Sequence, residues 1–131
     1  MTAISNSFPE DWKKSQPHQD KSHHCTTEGL ALYEARYESV MPFHPPGLAP
    51  VSDGDKWFYI IPNGESAFPQ VFDRAFGFYC DLAAVELDGS WFHINSDGIR
   101  AYEKGWSWCG NFQQNHCSVR DLEGNFHHIR K

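Results

Sequence analysis

From about residue 23 onward, short apolar runs alternate with tight-turn dipeptides. Leu48-Ala49-Pro50-Val51 and Leu82-Ala83-Ala84-Val85 each lead into an Asp-Gly turn, Asp53-Gly54 or Asp88-Gly89, and Glu123-Gly124 holds the same place further on. Aromatic runs follow, Trp57-Phe58-Tyr59-Ile60-Ile61 and Trp91-Phe92-His93-Ile94, each closed by a second turn, Asn63-Gly64 or Asp97-Gly98. Asn-Gly and Asp-Gly supply the positive φ of tight hairpins. The runs between them are too short for ordinary helices and rich in aromatic and β-branched residues, which favour strands. The pattern predicts antiparallel β structure over 23–131.

The pattern also recurs. Gly29, Gly64 and Gly98 are 35 and 34 residues apart, as are Phe43, Phe78 and Phe112. Trp57, Trp91 and Phe126, and Ile60, Ile94 and Ile129, keep spacings of 34 and 35. Val51, Val85 and Val119 are 34 apart, and Tyr37, Phe72 and Trp106 complete the set. A fixed period of this size marks a repeat architecture. The fold expected is all-β, an array of about three antiparallel hairpin units, 29–63, 64–97 and 98–131. His23 to Glu28 reads as the last strand of a partial unit. Residues 1–22 read as a leader, helical or irregular: Ser7-Phe8-Pro9-Glu10 has the form of a capping box, which would open a short helix from about Phe8 to Gln16. Trp12 would then pack on the first unit as a cap.

These motifs resemble the bacterial WG-repeat family. Phe43, Gly47-Leu48-Ala49, Val51, Lys56-Trp57, Tyr59-Ile60 and Gly64 match its unit, as do Phe78, Leu82-Ala83, Val85, Trp91, Ile94 and Asp97-Gly98. Phe112, Val119, Gly124, Phe126 and Ile129 match more sparsely, and the glycine that follows Trp in the family is here Phe58, Phe92 or His127. The resemblance implies repeated β-hairpins and a binding role, with no common catalytic residues.

Composition narrows the function. Eleven Lys+Arg against 17 Asp+Glu leave a net charge of −6, which disfavours a general phosphate-backbone binder and suits a basic protein partner. No apolar stretch reaches membrane-span length, and the N-terminus lacks a basic and apolar leader, so a cytoplasmic protein without membrane association is expected. Cys25, Cys80, Cys109 and Cys117 form no Cys-x-x-Cys pair and are expected as reduced thiols. No nucleophile-elbow, phosphate-loop or dinucleotide motif occurs. The expectation is a non-enzymatic module with no cofactor and no catalytic residues.

Strand alternation places Phe58, Ile60, Phe92 and Ile94 on one apolar face. The opposite face carries Trp57, Tyr59, Trp91, His93 and His128, and stacked units would align them as an exposed ladder suited to a protein ligand. Trp108 lies outside the repeat columns and joins them as a candidate contact. The alternative is a zinc protein, with or without hydrolase activity. His24, His93 and His128 occupy equivalent columns and would share an ion if their strands were neighbours.

Overall fold

The computed structural model describes residues 12–131. After a single 3-10 turn, Trp12–Lys14, the described chain contains eleven strands in antiparallel hairpins. Strand β1 (Ser15–Pro17) pairs with β2 (His24–Thr26). Three meanders follow: β3 (Ser39–Val40), β4 (Ala49–Ser52) and β5 (Trp57–Ile60); β6 (Arg74–Tyr79), β7 (Leu82–Leu87) and β8 (Ser90–Ile94); β9 (Trp108–Cys109), β10 (His116–Arg120) and β11 (Phe126–Arg130). The all-β repeat array is as anticipated, and its registers superimpose. Val51 faces Phe58, Val85 faces Phe92 and Val119 faces His127; two positions along, Ala49, Ala83 and Cys117 face Ile60, Ile94 and Ile129.

The partial first unit is larger than expected. Pro17 opposes His24 as Pro50 opposes Tyr59, so Ser15–Pro17 is the inner strand of a further hairpin and not the tail of a leader helix. The helix anticipated through Gln16 is therefore limited, among the described residues, to one 3-10 turn; the capping box at Ser7 to Glu10 lies outside them. Trp12 does pack against the first core cluster, its ring against Gly47.

The core forms three clusters, two of which bridge units. Tyr33, Val40, Phe43, Ala49, Val51 and Ile60 form the first. Leu48 and Tyr59 of one unit join Phe72, Phe78, Val85 and Phe92 of the next. Leu82, Ala84 and Trp91 join Trp106, Phe112 and Val119. Each unit thus buries an apolar face of its predecessor, as stacked repeats require. Backbone pairing reinforces the junctions. Trp57 exchanges both N–H···O bonds with Phe72, and Trp91 does so with Trp106, at 2.8–2.9 Å.

Candidate functional site

The structure corrects the expected exposed ladder. Tyr59 and His93 have no solvent exposure, Trp91 has 7%, and Trp57 is half-buried. The cause is the following unit: Trp57 and Trp91 carry its pairing segment, and Trp91 also stacks on Phe76 with centroids 5.8 Å apart. Both faces of β8 are covered. Of the six candidate contacts only Trp108, 40% exposed, and His128 are exposed.

The buried column has its own chemistry. His24 Nε2 donates to the Met41 carbonyl at 2.8 Å, Tyr59 Oη to the Phe76 carbonyl at 2.6 Å, and His93 Nε2 to the Gly110 carbonyl at 2.9 Å. Each acceptor lies 17 residues beyond its donor, on the next unit. With Nε2 donating, Nδ1 must accept, and a tyrosine nine residues on supplies the proton: Tyr33 Oη to His24 and Tyr102 Oη to His93, both at 2.6 Å. In the middle unit Tyr59 brings its own hydroxyl, and the position nine on is Phe68. One hydroxyl is retained in each junction while its place in the sequence moves.

This accounting removes the shared-zinc arrangement. Both nitrogens of His24 and of His93 are engaged within their own junctions, and no metal-type cluster among the described residues includes His24, His93 or His128. Equivalent columns are separated here by an entire meander, because the last strand of one unit is not the neighbour of the last strand of the next.

Burial favours the neutral imidazole and lowers the His24 pKa to about 4, against a bond to Met41 that raises it; burial lowers that of His93 likewise. A histidine with a depressed folded-state value binds a proton more readily when unfolded. Its contribution to stability is complete above about pH 6.5 and declines as pH falls towards the folded value. Urea unfolding should therefore show the protein losing about 3 kcal/mol or more between about pH 7 and about pH 4. Replacing His24 with Tyr and Tyr33 with Phe, as in the middle unit, should flatten part of that slope.

The thiols are also packed inside. Cys25, Cys109 and Cys117 are buried and all four cysteines are free. Burial pushes Cys109 up to about 12 and Cys117 up to about 11. Cys117 Sγ lies 3.8 Å from His93 Nε2, but that nitrogen's proton is directed to Gly110.

The two most exposed Phe, Tyr or Trp side chains among the described residues, Phe126 and Trp108, are on the last unit. The face of β7 and β8 that the third unit buries corresponds, one unit on, to a groove of about 720 Å³ lined by Phe76, Trp108, Asn111, Gln113, His116 and His128. Where β7 presents Leu82 and Ala84, β10 presents His116 and Ser118. At one end Trp108 and Phe126 both oppose Arg120 across the sheet. Their rings meet edge to face at 6.4 Å, and the Arg120 guanidinium lies 5.9 Å from the Phe126 ring. Phe126 is 67% exposed and Leu122 84%. In the preceding unit the place of Trp108 is taken by Arg74, paired with Glu86. Periodicity singles out Trp108 and groups Phe126 with Trp57 and Trp91; the following units cover those two tryptophans, and nothing described covers Phe126.

Hairpin meanders in register, joined by core clusters and by a side-chain bond across each described junction, define a protein of stacked β-repeats. The family model for the "WG containing repeat" matches residues 27–57 and 59–91, and the chain belongs through these units to the WG-repeat family. No curated protein matches it. Among the described residues no helix is long and apolar enough to cross a membrane.

Proposed function

We propose that the protein is a non-enzymatic binding module that captures an extended, aromatic-bearing polypeptide segment along β11. One observation carries this reading. The outer edges of β5 and β8 are paired through Trp57–Phe72 and Trp91–Trp106, whereas the described residues place no strand on the outer edge of β11, where Phe126 holds the same column. An open strand edge offers unpaired N–H and C=O groups to an incoming segment, and adjacent pockets supply specificity. Here the pocket is the groove beside Trp108 and His128. The net negative charge favours a basic partner at long range, but Phe126 to Lys131 contains two histidines, one arginine, one lysine and no carboxylate, so the docked segment itself is neutral or acidic. The reading as a non-enzyme draws support from Cys109 and Cys117, whose burial raises their pKa values and keeps them as thiols rather than nucleophilic thiolates.

The test is fluorescence anisotropy with a labelled peptide copying residues 64–78, the segment that covers the equivalent edge of β5 and carries two carboxylates against one arginine. Saturable binding is expected, weakened at least about tenfold by Phe126→Asp, since an exposed aromatic anchor contributes on the order of 1–2 kcal/mol or more. Absence of binding, or equal binding by the variant, would reject the β11 edge as the site.

A further inference from the structure

The first hairpin departs from its counterparts at one cross-strand position. In the other hairpins that position pairs Val51 with Phe58, Val85 with Phe92, and Val119 with His127. The valines are fully buried and Phe92 is buried. In the first hairpin, the register that sets Pro17 opposite His24 sets His18 opposite His23, and His18 N donates to the His23 carbonyl at 2.8 Å. Two imidazoles thus occupy a pair of positions that the repeat otherwise gives to a valine and an aromatic ring. They stack with centroids 4.6 Å apart and planes 19° from parallel.

The loop adds a carboxylate. Lys21 adopts a φ of 62°, a left-handed conformation that turns the chain back within the short segment between the histidines. Asp20 Oδ1 comes to 2.9 Å from His18 Nδ1. Ser22 Oγ bonds both Asp20 Oδ1 and His23 Nδ1 at 2.8 Å and orients both side chains. Potential ligand atoms of His18, Asp20 and His23 all lie within 4.8 Å of one another. His23 is 7% exposed while Asp20 stands at the surface, so the cluster has a fixed inner wall and an open approach. Backbone and side-chain bonds from Ser22 hold Asp20 ionised, with a pKa of about 2, and burial together with the Arg36 charge favours a neutral His23 ring.

We propose that His18, Asp20 and His23 form a binding site for a divalent transition-metal ion of the zinc class. Two imidazoles and one carboxylate suit such an ion, and three protein ligands leave a further position for water. Metal–ligand bonds of about 2.0–2.2 Å require the three groups to close by roughly 1 Å, which the exposed Asp20 and half-buried His18 can accommodate by side-chain rotation. The site is on the opposite end of the array from β11 and is independent of the peptide reading.

Zinc chloride titrated calorimetrically into the reduced full chain should reveal one equivalent bound at this site. Asp20→Ala should weaken it at least about tenfold. The more decisive variant joins His18→Val to His23→Phe, which restores the repeat's own pair and is expected to leave the fold intact by circular dichroism while abolishing binding. His127→Ala and Cys80→Ser should bind as the parent does. No binding by the parent, or undiminished binding by the Val/Phe variant, would overturn the proposal.

Discussion

Truncating His93 to alanine is expected to cost about 3–5 kcal/mol of stability, among the largest effects of any single substitution in the chain. The ring is fully buried, so its loss leaves a cavity against Phe112, whose ring centroid lies 4.7 Å away. The Gly110 carbonyl loses its donor at the same time, and the Tyr102 hydroxyl keeps only its contact with Cys109 Sγ at 3.7 Å. A buried polar group without a partner adds its desolvation cost to that of the void. The middle unit shows how the penalty can be avoided. His93→Tyr combined with Tyr102→Phe reproduces Tyr59 and Phe68, with the tyrosine positioned to reach the carbonyl directly. Urea denaturation should place this double variant within about 1.5 kcal/mol of the parent, while His93→Tyr alone, which crowds two phenols into one space, should cost more.

Gly98→Ala is expected to be nearly as damaging, at about 2–4 kcal/mol. Gly98 has a φ of +82°, and a Cβ there would stand 2.6 Å from Phe68 Cδ1. Phe68 is itself buried in the central cluster and cannot retreat. Gly64 meets Tyr33 in the same way at 2.8 Å, so this contact belongs to the junction and recurs with it. Gly89 serves as the control: its φ is +83° but nothing lies within 4 Å of its Cβ direction. Gly89→Ala should cost only the backbone strain, about 1–2 kcal/mol, and the difference between the two melting curves isolates the steric contact.

The period, the strands and the turn glycines were legible because each is a local property: positive φ, alternation and aromatic spacing all leave marks within a few residues. The exposed surface was not. Trp57, Tyr59, Trp91 and His93 form a column that looks amphipathic on one strand, and only the packing of the next unit against it makes it interior. Trp108 emerged as a departure from the period, and departures from a repeat report on what is particular to one unit. His18 shows the same principle unread. It aligns with Val51, Val85 and Val119 only when β1 is recognised as an inner strand, and the capping-box reading of the residues before it concealed that register.

The bond from each column to a carbonyl 17 residues onward also bears on modular engineering. A segment cut at the turn glycines, as the period invites, separates donor from acceptor at both ends. A transplantable cassette should begin after the acceptor loop of one meander and run through the acceptor loop of the next, so that chimeras spliced at Gly110 are expected to retain the strap that chimeras spliced at Gly98 surrender.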